Sequence, residues 1–151
     1  MGRRTDRRHI FSLIFQMGFS GRPEAIGKAI DDYMENHVGE SVDKDFIYVE
    51  FSGACQNIEH IDKIISENLK SWTTDRLNKT DLAILRLAVY EMIYNDEIPA
   101  SIAINEAVEL AKIYSEDESP GFVNAILGGI AKSLNGAVRN ETDGSQCNNA
   151  E

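Results

Sequence analysis

Apolar residues recur along most of this chain with the period of an α-helix. Ile10, Leu13, Ile14 and Met17 follow the i, i+3, i+4, i+7 spacing of one helix face, so a helix is predicted over Thr5–Phe19. Thr5 is its expected N-cap, Asp6 is favourably placed in its first turn, and Gly18, Ser20 and Gly21 end it. Pro23 suits the first turn of a second helix, whose inner face reads Ile26, Ala29, Ile30, Tyr33 and Met34 before Gly39 stops it. One long third helix is predicted from Asp43 to Lys70. Its stretch FIYVEF (46–51) has strand propensity, but Val49, Gly53, Ile58, Ile61, Ile65 and Leu69 keep a helical rhythm with no turn between them. Residues 71–77 form a connection anchored by Trp72. Asn78 then caps a helix over Lys79–Tyr94 that is apolar nearly all round, the mark of a central, buried element. Arg86 and Glu91 on that helix need partners or an edge position. Ser101–Tyr114 is the next helix, with Ile104, Val108 and Ala111 inward. Ser119 caps the last, with Pro120 at its first position and Phe122, Val123, Ile126, Leu127, Ile130 and Leu134 along it. The pair Gly128–Gly129 inside this pattern is read as permitting close helix packing. Beyond about Gly136 the chain is polar and aperiodic, a disordered tail by its composition. The pattern is all-α, with six to seven helices.

Length and composition add bounds. At 151 residues, a single domain or two small subdomains on one core is expected, and such a chain buries enough surface to fold without metal or disulfide. The two cysteines, Cys55 and Cys147, lack any short spacing, so neither a disulfide framework nor a zinc site is expected and a reducing cytoplasm fits best. No apolar run is long enough to span a bilayer, and the N-terminus lacks the h-region of a signal peptide. The net charge of −10 argues against general affinity for nucleic acid. Any such affinity must come from a local patch, and Arg3, Arg4, Arg7 and Arg8 all lie within the first eight residues.

Catalytic and metal chemistry find little support. His9, His37 and His60 have no metal-ligand spacing, and the pair Glu106 and Glu109 lacks the Glu-x-x-His partners of di-iron bundles, so helix-end capping and surface solvation explain it. There is no phosphate-binding glycine loop and no nucleophile elbow. No cofactor and no enzyme activity are expected. The arginines are the candidates that remain. Arg3 and Arg7 are four apart, as are Arg4 and Arg8, so in a helix each pair shares a face. Guanidinium forks match phosphate oxygens, and each single-strand phosphate contact adds about −0.7 to the salt slope. The opposing reading is a solvated terminus. Stacking candidates beside the charge are Phe15, Tyr114 and Phe122, each of a type more often found in cores.

Three stretches, WTTDRLNKTDLAILRLAVYEMIY (72–94), IPASIAINEAVELAKIY (98–114) and SPGFVNAILGGIA (119–131), resemble the NusB transcription antitermination factors of bacteria. The arginine-rich start followed by LIFQ (13–16) is similar to that family too, and the likeness covers about residues 3–134. The resemblance implies a fold of two packed three-helix subdomains. In this chain that gives one RNA-binding helical domain over 1–136, divided near 1–70 and 71–136, with the polar tail at 137–151. It also implies binding of boxA, a short single-stranded RNA element, jointly with NusE, a small-subunit ribosomal protein, in an antitermination complex with RNA polymerase that supports ribosomal RNA transcription. Carried over by residue, the resemblance assigns RNA contact to Arg3, Arg4, Arg7, Arg8, Phe15, Glu118, Ser119, Phe122 and Asn124, and a partner-facing surface to Arg76 and Asp81. Gly121 stands where many members carry a basic residue, which removes one expected phosphate contact. Ala125 replaces the usual Gly. Two other readings stay open: a homodimeric helical scaffold whose RNA face is masked, and a stand-alone relative of the helical domain that precedes the catalytic part of ribosomal RNA cytosine methyltransferases. No S-adenosylmethionine-binding domain follows in this sequence, which disfavours the second.

Overall fold

A computed structural model of the chain describes residues 3–17, 23–37, 42–69 and 77–150, with side chains described except at 17, 23–25 and 135–150. The described residues form seven helices and no strand: α1 (Arg3–Met17), α2 (Pro23–Glu35), α3 (Lys44–Gln56), α4 (Ile58–Glu67), α5 (Lys79–Tyr94), α6 (Ala100–Tyr114) and α7 (Ser119–Ala150). The expected terminators Gly18, Ser20, Gly21 and Gly39, the anchor Trp72 and the candidate partner residue Arg76 lie outside the described residues. So does the side-chain structure of the stretch read as a polar tail, where α7 continues to Ala150.

α5 is the centre, as its all-round apolarity predicts. Ala83 to Glu91 are buried without interruption, and α1, α3, α4, α6 and α7 all pack on α5. Asn78 caps it as expected, its Oδ1 accepting from the Asp81 N–H at 2.7 Å. One buried cluster runs from Ile10 and Phe51 through Ile84 and Leu87 to Leu127 and Ile130. FIYVEF is helical: Ile47 and Phe51, four apart, are fully buried on one face of α3 while Tyr48 and Val49 are exposed.

Three local expectations need correction. The long third helix is two helices, broken at Asn57 (φ −111°, ψ 19°), which ends α3 and precedes α4. The Asn57 side chain donates to the Gly53 carbonyl at 2.8 Å, beside the Asn57 backbone N–H, which bonds the same oxygen at 3.1 Å, so the break comes without a Gly or Pro turn. Thr5 is not a cap, because α1 begins at Arg3. Asp6 does lie in the first turn of α1 as expected, and it is buried there, accepting from the Asp43 N–H at 3.1 Å and from Arg3 at 3.2 Å. Close packing at Gly128–Gly129 is also not what the structure shows. A Cβ would meet nothing at 128 and only ordinary contact with Asn68 at 129, whereas at Gly53 it would lie 2.4 Å from the Tyr90 hydroxyl.

Candidate nucleic-acid interface

The four arginines do not form one outward arm. A helix places residues 3, 7, 10 and 14 in one row and 4, 8, 11 and 15 in the next. The first row contains Ile10 and Ile14, both core residues, so it turns Arg7 inward. Arg7 is buried, and its Nε lies 3.1 and 3.0 Å from the two carboxylate oxygens of Glu91 on α5. This is the partner that Glu91 required, just as Asp62 supplies both carboxylate oxygens to Arg86 at 2.8 and 2.7 Å. The expected role of Arg7 as an RNA contact is therefore corrected: its guanidinium is a strut between α1 and α5. The signal was present in the sequence, because Arg7 stands three residues before Ile10 on the face assigned to the core.

Arg3 and Arg4 are exposed but held. Arg3 donates through Nη1 to Asp43 (2.9 Å) and Asp6 (3.2 Å) and lies 3.8 Å over the Phe46 ring. The Asp43 carboxylate is held below the usual range by Arg3 first and then by the Phe46 N–H. Arg4 donates through Nε to Glu106 Oε1 (3.0 Å) and through Nη2 to Oε2 (2.8 Å). Glu106, on α6, is held below the usual carboxylate range by this hydrogen bonding. Sequence reasoning left Glu106 as a solvated surface group, because nothing in the spacing shows that α1 lies along α6. Arg8 is exposed and makes no ion pair among the described residues.

Behind Arg7 lies a group the sequence did not mark. Glu50 is 1% exposed, accepts from Asn95 Nδ2 at 2.8 Å, and faces Glu91. Burial, followed by the neighbouring Glu91, pushes its carboxyl up to about 9. Glu50 therefore keeps its proton at neutral pH, beside the Glu91 carboxyl that meets Arg7.

Along the second row the stripe continues as aromatic surface. Phe11 is buried, Phe15 is 43% exposed, and their ring centroids are 6.2 Å apart. Phe11 also packs on Tyr114, at 5.0 Å between centroids, and Tyr114 ends α6 with 44% exposure. From Tyr114 the chain turns directly into α7. Ser115 and Ser119 each donate to a separate oxygen of Asp81, at 2.6 and 2.9 Å, and their hydroxyls lie 2.8 Å apart. The N-terminus of α5 thus ties down the N-terminus of α7. This corrects two expectations. Asp81 is buried and its carboxylate is spent inside the chain, so it does not face a partner. Ser119 is also buried, and its hydroxyl serves Asp81.

Glu118, Gly121 and Phe122 line a cavity of about 550 Å³ closed on its other side by Leu69 and Leu77. Glu118 is exposed and Phe122 half-buried there. Asn124 is exposed but does not line the cavity; two residues past Phe122, it points about 200° round the helix. The structure therefore brings Arg4, Arg8, Phe15 and Tyr114 to one edge and attaches the 115–122 turn to that edge through Tyr114. Among the described residues no cluster could hold a metal ion, and no helix is long and apolar enough to cross a membrane.

Comparison with known proteins agrees with this architecture. The sequence profile described as the NusB family matches residues 4–132. The transcription antitermination protein NusB of Clostridium novyi is 42% identical over 135 residues, covering 88% of this chain and all of that protein. Its counterpart in Acetivibrio thermocellus is 44% identical over 134 residues, covering 87% of this chain and 90% of the relative. Among solved structures, T. maritima NusB superposes with a TM-score of 0.73 at 34% identity, over 87% of this chain and 92% of that one. A complex of the antitermination factors NusB and NusE with dsRNA matches with a TM-score of 0.74 at 25% identity, over 86% and 96%.

Proposed function

Because this chain belongs to the NusB family, we propose that it acts in transcription antitermination by binding a boxA-like single-stranded RNA together with NusE, as part of an RNA polymerase complex on ribosomal RNA genes. The observation that carries this reading is the single edge on which Arg4, Arg8, Phe15 and Tyr114 lie beside the turn bearing Glu118 and Phe122. On a molecule of net charge −10, this edge combines cationic forks with exposed aromatic faces. Single-stranded RNA requires that combination: guanidinium groups for phosphates, rings for stacked bases.

The parts divide the work by chemistry. Arg8 offers an exposed charge with no ion pair among the described residues and Arg3 and Arg4 oriented ones, while Phe15 and Tyr114 present stacking surface. Glu116, Asp117 and Glu118 repel phosphate at the start of α7, so the backbone runs on the arginine side and Glu118 is left to accept from base edges. Asn124 takes no part in this arrangement. Arg7 and Asp81 act from inside, locking α1 and α7 to α5. With Asp81 spent inside the chain, the NusE-binding surface is left to Arg76, which lies outside the described residues.

A gel shift of boxA-like RNA and a scrambled control, with and without NusE, tests the proposal. Preference for the boxA-like RNA, strengthened by NusE, is expected; equal binding to both defeats it. The exposed Phe15, Ile113 and Tyr114 would also be hidden in a homodimer. Size exclusion with and without RNA separates that reading, because a masked face requires RNA to dissociate the dimer.

A further inference from the structure

We propose that Glu106 is a positioning residue for RNA: it grips one edge of the Arg4 guanidinium so that the opposite edge meets a phosphate. This inference rests on the RNA-binding reading above.

Arg4 differs from its three neighbours in being both outward and held along a whole edge. Arg7 is buried, Arg8 is exposed with no ion pair among the described residues, and Arg3 is held through Nη1 alone. At Arg4, Nε and Nη2 both donate to Glu106. This occupies the side edge of the planar fork. The end edge, made of Nη1 and the second hydrogen of Nη2, has the spacing of two phosphate oxygens. The Arg4 side chain is 58% exposed and that of Glu106 only 14%, so the carboxylate grips from behind and the fork projects.

Glu106 does not simply cancel Arg4. It is ionised at neutral pH, because Arg4 holds its carboxyl below the usual range. A phosphate on the end edge would sit one hydrogen bond from the guanidinium and roughly twice as far from the carboxylate, so attraction outweighs repulsion. A free arginine loses rotamer freedom when it docks, whereas Arg4 has lost that freedom on folding. Because the grip comes from α6, the seating of α1 on α6 determines where this contact points.

The test is a double-mutant cycle in the full-length chain, read as affinity for boxA-like and scrambled RNA. Glu106→Gln should weaken boxA-like binding about three- to tenfold when Arg4 is present. In the Arg4→Ala background the same change should have almost no effect. Arg4→Lys keeps the charge but has no fork, so it should match Glu106→Gln, and at an exposed position it reports independently should Glu106→Gln impair folding. Three results overturn the inference: unchanged or tighter binding in Glu106→Gln, an equal loss in the Arg4→Ala background, or wild-type affinity in Arg4→Lys. Equal wild-type binding to both RNAs would instead overturn the functional reading, and this inference with it.

Discussion

Glu50→Gln should stabilise this protein, and by more as the pH rises. Glu50 is 1% exposed, and its Oε1 has no hydrogen-bond partner among the described residues, so the native state keeps the carboxyl protonated beside Glu91. Its folded value of about 9 lies far above the 4.5 of an exposed glutamate. Between those values the native state holds a proton that the unfolded chain has released. The resulting stability is fully present below about pH 4.5 and is lost as pH rises toward 9, at up to about 1.4 kcal/mol per pH unit. Glutamine keeps the shape and needs no proton: its amide donates to Glu91 and its carbonyl accepts from Asn95 Nδ2. The gain at pH 7 is then on the order of 1–3 kcal/mol, growing further by pH 8.5. Urea unfolding of both proteins at pH 5, 7 and 8.5 measures it, and taking the difference between variants cancels the other titrating groups. A difference that does not change with pH, or a less stable Glu50→Gln at pH 8.5, would refute the protonated pair.

Other substitutions separate struts from surface. Arg7→Ala should cost about 3–5 kcal/mol in denaturant unfolding by leaving the Glu91 charge buried without its partner, so any RNA defect must come with a lowered Tm. Gly53→Ala should destabilise by about 1–3 kcal/mol despite the better helix propensity of alanine, because the new Cβ would lie 2.4 and 2.5 Å from Oη and Cε1 of the buried Tyr90. Gly121→Lys should tighten RNA binding several-fold and steepen its salt slope by about 0.7, because the position is exposed at the cavity rim and a Cβ there meets nothing within 4 Å; an unchanged slope would place the RNA elsewhere.

The sequence was most legible where one signal dominated. The apolarity of 82–90, interrupted only by Arg86, marked α5 as central, and Asn78 marked its start; both are seen. The split at Asn57 was hidden because the break is confined to the dihedrals of one asparagine, with no Gly or Pro to mark it. The charged positions were legible only as needs. Glu91 and Arg86 plainly wanted partners, but naming Arg7 and Asp62 requires knowing how α1 and α4 cross α5. Counting arginines overstated the cationic surface. The same 3.6-residue period that revealed the core also carries Arg7 into it, while Glu106 and Asp43, remote in sequence, engage Arg4 and Arg3. Asp81 was given to a partner surface by the family resemblance alone, and nothing in its spacing shows the return of Ser115 and Ser119 that buries it.

The central claim is that RNA docks on the edge shared by α1 and the end of α6, and the most direct measurement is the affinity of Arg8→Ala/Phe15→Ala for boxA-like and scrambled RNA over a salt series. Both side chains are exposed, so the variant should melt like the wild type. The account predicts a wild type that prefers boxA-like RNA. The variant should bind that RNA about 10- to 100-fold more weakly, with a salt slope shallower by about 0.7. Full affinity and an unchanged slope in the folded variant would contradict it.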